Sequence, residues 1–338
     1  MTVTLKDLAL RAGVHPSTIS RLANGDPRAR VSPETRARVL TLLKETGYRP
    51  DYAGRSLRLK QSLVLAVIIP DITNPLFAEI FVGVEEVATE AGYSVILANT
   101  GGSREREQTH LRQLQARRAD GMILASVILR DPSVRWLRTH GIKHVVVDRF
   151  SGKADPFVGG DDLAGAFMAT NHLIELGHRR IAHLAGPQNV STAVLRKRGY
   201  LAALKGADIE PDPALIVEAG FLEEAGGRAM EQLLTLAPPP TAVFAGNDMS
   251  AIGAHGVARE HGLDIPSDVA IVGYDDVPLA SRLEPPLTTI RVPVCEFGRI
   301  SARMLLEQIK EVKADPRQIV LPTELMVRGS TAIQATRR

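Results

Sequence analysis

The sequence lacks the features that mark secreted, membrane-bound or metal-stabilised proteins. Cys295 is the single cysteine among 338 residues, which excludes an internal disulfide and a multi-cysteine zinc site and fits a reducing compartment. No apolar run approaches the ~20 residues that cross a bilayer, and the first residues lack the basic and apolar segments of a secretion signal. The sequence therefore predicts a soluble cytoplasmic protein that makes no contact with a membrane.

Signals of enzymatic chemistry are also missing. The nine histidines are scattered, and no pair of them has neighbours of the metal-ligand type. No serine lies in a Gly-x-Ser-x-Gly elbow, and the glycine pairs at 159–160 and 226–227 do not follow a strand in the manner of a dinucleotide site. We therefore expect no catalytic residue, no metal and no cofactor, and a protein that is not an enzyme.

The first two dozen residues carry the most specific pattern in the chain. Apolar residues recur at three-to-four spacing over residues 5–12, and Thr4 with Asp7 resembles a capping box, so a helix should begin directly after Thr4. Gly13 permits a sharp turn, and Pro16 suits the first turn of a second helix. This pattern predicts a helix-turn-helix that binds DNA, with a plain helical hairpin as the alternative.

The outward side of the second helix is predicted to contact base edges in a major groove. It should be formed by Pro16, Ser17, Thr18, Ser20 and Arg21. The charge distribution agrees, since residues 1–60 hold twelve Lys or Arg and five Asp or Glu, whereas the rest hold twenty-nine and thirty-three. A basic head on a mildly acidic body is typical of phosphate binding confined to one end.

A third helix and a basic segment complete the N-terminal part. Ser32, Pro33 and Glu34 have the features of a helix start: a cap, a proline at the first position and an acid near the positive helix end. Residues 48–61 are basic and have little to bury, so we expect them to become ordered on DNA. Leu57 would then enter the minor groove as an apolar wedge. A plain solvated linker is the alternative for this segment.

From Leu63 onward, buried strands alternate with helices. Continuous apolar runs, which are typical of strands buried on both faces of a parallel sheet, occur at Leu63–Ile69, Ser94–Ala98, Gly121–Ala125, His144–Val147, Ile181–Ala185, Ala242–Ala245 and Val269–Gly273. Helices are predicted between most of them, for example at Phe77–Ala91, Arg104–Arg118, Leu163–Leu176 and Ser250–His261. The alternation predicts an α/β fold with parallel sheets, and its roughly 270 residues predict two lobes.

Polar residues follow several of these strands, where ligands bind in parallel sheets. The residues are Asp71, Asn74, Asp148, Arg149, Thr192, Arg196, Asn247 and Asp275. Because each hydroxyl of a sugar both donates and accepts, carboxylates, amides and guanidiniums in one place favour a polyhydroxylated ligand. Considered one at a time, Asn247, Asp248 and Asp161 are better explained as helix caps.

Motifs along nearly the whole chain resemble those of the lac-repressor family of bacterial transcription regulators. They are Val3–Ala9, Thr18–Asn24, Ser32–Arg36, Ala53–Leu57, Ile69–Pro75, Val147–Arg149, Leu176–Ala182, Pro240–Phe244, Val272–Asp276 and Pro286–Ile290. The resemblance implies that positions matching Pro16, Ser17 and Arg21 face bases and that Leu57 is the minor-groove wedge. Asn24 and Arg55 lie in the matching motifs and complete the predicted DNA site.

The effector domain of that family resembles periplasmic sugar-binding proteins. The resemblance implies that side chains at positions matching Asn74, Asp148, Arg149, Arg196, Asn247 and Asp275 hydrogen-bond the ligand, and that Phe77 and Phe221 stack on it. Two positions depart from the family pattern. Leu76 stands where an aromatic residue is usual, and Val292 stands where a ligand-binding glutamine often lies. Leu76 remains part of the predicted effector site, which loses one stacking surface there.

The implied domains are a headpiece at 1–47, a hinge at 48–61 and an effector and dimerisation domain at 62–338. Within the last, lobe 1 is expected at about 62–161 and 292–323, and lobe 2 at about 162–291 and 324–338. Three crossovers would join them, near Phe157–Asp162, Thr289–Pro293 and Pro322–Leu325.

The leading hypothesis is a homodimeric repressor that binds a near-palindromic double-stranded DNA operator and responds to a small sugar-like effector. A purine or another metabolite is an alternative effector. A solute receptor for transport and an enzyme acting on sugars or nucleosides are the rival classes. The basic head and the lack of an export signal argue against the receptor, and the lack of a nucleophile, metal set or cofactor loop argues against the enzyme.

Overall fold

The computed structural model describes residues 3–23, 29–48, 61–311 and 317–332, which fall into two units at Met1–Ser62 and Leu63–Arg338. Among the described residues of the N-terminal unit, the helices are α1 Leu5–Ala12, α2 Pro16–Ala23 and α3 Pro33–Thr46. The capping box at Thr4 and Asp7 is confirmed, because each side chain accepts a hydrogen bond from the backbone N–H of the other residue. Helix α1 therefore begins where the sequence predicts.

The turn and the core of the N-terminal unit follow from local sequence. Gly13 ends α1 in the left-handed region, with φ of 62°, and this conformation costs glycine little. Ser32 caps α3 by accepting a hydrogen bond from the backbone N–H of Thr35. The three helices bury one cluster of side chains, which comprises Leu8, Ala9, Ala12, Ile19, Leu22, Ala29 and Val39. The faces left outside this core are those available to a partner.

The second unit alternates strands and helices, as predicted. Its strands are β1 Val64–Ile69, β2 Ser94–Asn99, β3 Gly121–Leu124, β4 His144–Val147, β5 Phe157–Gly160, β6 Ile181–Ala185, β7 Ile216–Glu218, β8 Ala242–Ala245, β9 Ala270–Val272, β10 Thr289–Arg291, β11 Gln318–Leu321 and β12 Glu324–Met326. Its α-helices are α4 Pro75–Glu90, α5 Arg104–Ala116, α6 Pro132–Thr139, α7 Asp162–Glu175, α8 Ser191–Gly206, α9 Glu223–Leu234, α10 Asp248–Glu260 and α11 Val294–Ile309.

Two parallel sheets organise this unit. The larger has the strand order β11-β5-β4-β3-β1-β2, and the smaller has the order β7-β6-β8-β9. Five of the six residues of β1 are buried, and the strand pairs with β2 on one side and β3 on the other, so that Val67 lies opposite Leu97 and Ile123. Parallel sheets with covered faces place all strand ends of one kind along one edge, where loops can form a site.

The chain passes between the two sheets more than once. It leaves the larger sheet after β5 and returns for β11, which pairs with β5 in parallel. Strands β10 and β12 pair antiparallel beside the two sheets. We call the part built on the larger sheet, with β1–β5, α4–α6, α11 and β11, the first lobe. The part built on the smaller sheet, with α7–α10 and β6–β9, is the second lobe.

Candidate functional site

Helix α2 of the N-terminal unit presents the polar side that the sequence predicts. Ser17 and Arg21 are exposed, whereas Ile19 and Leu22 on the opposite side are buried. Pro16, Thr18 and Ser20 are partly exposed on the flanks of the same side. Three residues of the predicted DNA site, Asn24, Arg55 and Leu57, lie outside the described residues, as does most of the 48–61 segment.

A local hydrogen bond to His15, which the sequence analysis did not predict, caps the start of α2. His15 Nδ1 accepts from the backbone N–H of Ser17 at 3.2 Å and lies 2.8 Å from Ser17 Oγ. The imidazole therefore satisfies one of the N–H groups that open a helix, a position where Ser, Thr, Asp or Asn is usual.

A cleft between the two lobes of the second unit gathers most of the predicted effector residues. Its lining consists of Asn74, Leu76, Phe77, Asp148, Arg149, Thr192, Arg196, Phe221, Asn247 and Asp275. Asp71 is the exception among the predicted residues. Its carboxylate accepts two hydrogen bonds from Thr73, at 2.9 and 2.8 Å, and it does not line the cleft, because that local turn holds its side chain.

Arg196 lies at the centre of the second-lobe side of the cleft. Its Nε donates to Asp162 Oδ1 at 2.8 Å, and its Nη1 donates to the carbonyl of Gly246 at 2.7 Å. The same Nη1 lies 3.4 Å from Asp275 Oδ1, and the guanidinium carbon lies 3.7 Å from the centre of the Tyr274 ring. Arg196 is 4% exposed, so these contacts replace its hydration.

The sequence analysis did not predict two of these partners, Asp162 and Tyr274. Asp162 is the first residue of α7, where an acidic side chain is commonly found because it interacts favourably with the positive end of the helix dipole. Tyr274 follows the buried strand β9. Neither has a local signal of its contact with Arg196, which lies 34 residues beyond Asp162 in the chain.

Arg149 occupies the first-lobe side of the same cleft. Its guanidinium carbon lies 5.7 Å from the centre of the Phe77 ring and 5.4 Å from that of Phe221, so it contacts an aromatic ring from each lobe. Its Nε is 3.6 Å from Asp148 Oδ2 and makes no hydrogen bond with the described residues. With only about 20 Å³ of free volume, the cleft is closed around this side chain.

Two aspartates of the cleft have unusual backbone conformations. Asp148 has φ of 66° and Asp275 has φ of 116°, both in the region that favours glycine. Each directly follows a buried strand or its extension, and hydrogen bonds to Val158 and Ile290 hold the two backbone N–H groups. Strained residues held in this way are concentrated at ligand sites, which supports a binding role for this edge.

The cleft concentrates three carboxylates around two guanidiniums. Burial raises the pKa of Asp148 and Asp275, and it raises the pKa of Asp162 to about 6. Burial alone would lower the pKa of Arg196, but the carboxylates of Asp162 and Asp275 raise it. Arg196 therefore stays charged, and the group as a whole can donate to and accept from ligand hydroxyls.

Helix caps explain part of the polar lining. Asn74 Oδ1 accepts from the backbone N–H of Leu76 at 3.1 Å and caps α4, and Asn247 Oδ1 accepts from that of Ser250 at 3.0 Å and caps α10. The expectation that Asp248 is a cap is wrong. It is the first residue of α10, and its carboxylate instead accepts from Val277 N–H at 2.8 Å and Thr289 Oγ1 at 2.6 Å.

The completely buried Asp248 predicts a pH dependence of stability. Burial raises its pKa from 3.8 to about 7, only partly offset by the bonds from Thr289 and Val277. The folded chain thus keeps a proton that the unfolded chain releases, so this group's stabilisation falls as pH rises from about 4 to about 7. The free energy of unfolding of Asp248→Asn, relative to that of the unsubstituted chain, should therefore increase as the pH rises from about 4 to about 7.

Urea unfolding at intervals from pH 4.5 to 8 measures this difference. The exposed Asp264 offers a matched control, because Asp264→Asn makes the same chemical change on the same lobe without burial. A difference for Asp248→Asn that does not change with pH, or that changes in the opposite direction, would contradict the expectation.

Neither a metal site nor a membrane span is found in the described part of the chain. No group of three or more His, Cys, Asp or Glu side chains in residues 3–23, 29–48, 61–311 and 317–332 is arranged to hold a metal ion. Across the same ranges, no helix combines the length and apolar character that crossing a bilayer requires.

Comparison with known proteins covers both units. Residues 4–51 match the family described as bacterial regulatory proteins, lacI family, and residues 170–331 match a periplasmic binding protein-like domain. The HTH-type transcriptional repressor CytR of Escherichia coli (strain K12) is 38% identical over 331 residues, which are 97% of this chain and 96% of that protein.

Two solved structures are similar over nearly their whole length. A transcriptional regulator CelR–cellobiose complex is 36% identical with a TM-score of 0.76 and covers 97% of this chain and 99% of that one. A lac repressor dimer bound to operator and the anti-inducer ONPF is 28% identical with a TM-score of 0.86 and covers 98% of this chain and 100% of that one.

Proposed function

This chain belongs to the lacI family of bacterial regulatory proteins, and we propose that it is a homodimeric repressor whose affinity for operator DNA is controlled by a sugar-like effector. It is a DNA-binding transcription regulator rather than an enzyme, like the relatives named as transcriptional repressors. A regulator of this kind works where the chromosome is, so we also propose a cytoplasmic location.

The observation that carries the DNA-binding part is the exposed polar side of α2. Ser17 and Arg21 lie on one side of a short helix whose other side is buried through Ile19 and Leu22. A helix held in this way can enter a major groove without disturbing its own core. Arg21 has the reach and the planar donor pair that suit a guanine edge. Two copies related by a two-fold axis would bind two half-sites of a near-palindromic operator.

The effector part rests on the cleft between the lobes. Arg149, Arg196, Asp148 and Asp275 offer donors and acceptors in one place, which suits the hydroxyls of a sugar. Phe77 and Phe221 supply apolar ring faces from opposite lobes. One of the similar structures is a complex with cellobiose, which is such a ligand.

Because the cleft lies between the two lobes, effector binding there can change DNA affinity by changing how the lobes are separated. Backbone contacts already join the lobes, since Leu129 N–H donates to the carbonyl of Asn189 at 2.8 Å and Phe150 N–H donates to Ser191 Oγ at 2.9 Å. An effector that prefers one separation of the lobes shifts the balance between open and closed forms. A coupling of about 1–3 kcal/mol would change DNA affinity roughly 5–150-fold.

Arg21→Ala tests the DNA-reading role of α2. Because this change removes a base contact, we expect the preference of the dimer for its selected site over a scrambled duplex to fall about tenfold. The site is first isolated from a pool of randomised duplexes, and both affinities are then measured by fluorescence anisotropy at one fixed salt concentration.

Arg38→Ala is the matched control. Arg38 is an exposed arginine on α3 of the same unit, so its loss should change binding to both duplexes by the same factor and leave the preference intact. If Arg21→Ala keeps the full preference for the selected site over the scrambled duplex, Arg21 does not contact bases. Failure of the unsubstituted protein to enrich any sequence would contradict sequence-specific binding itself.

A further inference from the structure

A groove between α5 and α6 of the first lobe holds a cavity that is separate from the cleft between the lobes. Its volume is about 230 Å³, and it shares none of the described lining residues of the cleft. Its lining comprises Gln108, Leu111, Arg112, Pro132, Ser133 and Trp136. The leucine, proline and tryptophan make most of its walls apolar. Because a cavity of about 150 Å³ can hold benzene, this one has room for a large apolar side chain.

Trp136 and Arg112 line this cavity from different helices. Trp136 lies on α6 and is partly exposed, and its ring centre is 4.7 Å from that of His140. Arg112 lies on α5 and is exposed. Tryptophan and arginine are among the residues most enriched at the positions that contribute most to binding between proteins. An apolar cavity lined by both is typical of a site that receives one side chain of a partner.

The surface formed by this part of the chain is strongly basic. Residues 104–143 hold eight Arg and one Lys against four Asp or Glu, whereas the other residues from 61 onward hold twenty and twenty-nine. Elsewhere in the second unit, exposed arginines such as Arg228 and Arg291 pair with carboxylates. Six exposed arginines of residues 104–143 form no ion pair with any residue that the structure describes. They are Arg106, Arg112, Arg117, Arg118, Arg130 and Arg135.

The four acids of the same segment do not neutralise these arginines. Glu107 and Asp131 are buried and lie 3.5 and 2.6 Å from Arg104 Nη1, so their charges are balanced by that arginine. Asp120 is partly buried and accepts a backbone hydrogen bond at 2.8 Å. Glu105 is the one exposed acid of the four. Carboxylates from outside this segment are therefore needed to balance the charge of this surface.

The apolar cavity and the excess of arginine together distinguish between possible occupants. Duplex DNA would pair with the arginines, but its phosphate surface has no large apolar group to place in the cavity. A second copy docked here about a two-fold axis would place this basic face against itself, so that the arginines would repel each other. A neutral peptide would leave the arginines unpaired. An acidic segment with one large apolar side chain matches both features.

We propose that the groove between α5 and α6 is a docking surface for an acidic segment of another protein. One large apolar side chain of that segment fills the cavity against Trp136, and carboxylates on either side of it pair with Arg112 and the other unpaired arginines. This surface includes neither the cleft nor α2, so the assignment does not depend on the effector or on the operator.

A phage library of random dodecapeptides tests this assignment without a partner chosen in advance. The full-length protein is the target. The variant Arg112→Glu, which reverses one charge at the cavity, is used to remove peptides that bind elsewhere. We expect the enriched peptides to carry several Asp or Glu beside a Phe, Leu or Ile.

The fluorescence of Trp136 then reports binding at the cavity directly. Trp136 is the single tryptophan among the 338 residues, so an enriched peptide that itself lacks tryptophan should shift this emission when it binds. Arg112→Glu should weaken that peptide by about tenfold or more, because it replaces an attraction with a repulsion. Gln108→Phe fills the cavity from an exposed position and should weaken the peptide by a similar factor.

Arg198→Glu is the matched control for the charge reversal. Arg198 is exposed on α8 of the second lobe, so the variant makes the same chemical change away from the groove and should leave peptide affinity unchanged. Thermal unfolding of the three variants should match that of the unsubstituted protein, because each substituted side chain is exposed.

Four results would overturn the assignment. The first is that no peptide remains after removal of those that also bind Arg112→Glu. The second is that the remaining peptides have no excess of acidic residues, or leave the emission of Trp136 unchanged. The third is that Arg112→Glu weakens a scrambled DNA duplex as much as the peptide, which would make the surface a nucleic-acid contact. The fourth is that Arg112→Glu lowers the oligomeric state in sedimentation, which would make the occupant a second copy.

Discussion

Replacing Arg196 by alanine should lower the free energy of unfolding of the second unit by about 3–5 kcal/mol, the cost of breaking a buried ion pair by removing one partner. The substitution leaves Asp162 and Asp275 without their cation and the Gly246 carbonyl without its donor. It also removes a guanidinium from the face of the Tyr274 ring. Urea unfolding followed by circular dichroism measures the loss.

The same helix provides the control for this prediction. Arg198 is exposed two residues further along α8, so Arg198→Ala removes the same side chain without uncovering a buried carboxylate. We expect its free energy of unfolding to stay within about 0.5 kcal/mol of the unsubstituted value. A loss below about 1 kcal/mol in Arg196→Ala would mean that its neighbours re-solvate easily and that the cluster is not a structural centre.

Gly253→Ala should be the second most damaging of the proposed substitutions, at about 3 kcal/mol, because it forces two helices apart. A β-carbon at Gly253 of α10 would lie 1.9 Å from the carbonyl oxygen of Glu223 and 2.7 Å from the backbone nitrogen of Gly227, both on α9. These are main-chain atoms, which cannot rotate away as a flexible side chain would. Thermal and urea unfolding report the loss.

Gly256 makes a matched control on the same helix. A β-carbon there meets nothing within 4 Å, and the position is exposed. Alanine is the better helix former, so Gly256→Ala should raise stability by roughly 0.5–1 kcal/mol. If Gly253→Ala lowers the free energy of unfolding and Gly256→Ala raises it, the loss at Gly253 comes from the contact between α9 and α10. Equal effects would contradict the close approach of α9 and α10.

Much of the fold is predictable because its signals act over a few residues. The capping box of Thr4 and Asp7 lies within one helical turn, and the apolar run at 64–69 has the composition of a strand buried on both faces. Polar residues after such strands meet at one sheet edge, which is why seven of the polar residues predicted there line the cleft. Leu76, Phe77 and Phe221, which only the family resemblance implied, line it as well. Short strands such as β7 and β12, with three residues each, carry no comparable signal.

Individual contacts near the cleft were not predictable. Asp71 follows β1 as Asn74 does, yet a bond with Thr73 holds it in a local turn. Glu107 belongs to a polar helix and has the composition of a solvated residue, although it is buried. Its burial depends on where α5 lies relative to Ser126, a residue on a different strand end.

Motifs along the chain identified the family by resemblance. The residue pattern by itself determined the helix-turn-helix at the N-terminus, the alternation of strands and helices and the sheet edge at which the predicted effector residues lie. These properties depend on spacing and composition within short windows, where capping, turns and apolar burial act. Only the tertiary structure decided that Arg196 joins Asp162 to Asp275, that Arg149 lies between rings from both lobes and that Glu107 faces a cavity. Such contacts join residues far apart in the chain, and their geometry depends on how whole elements pack rather than on any local pattern.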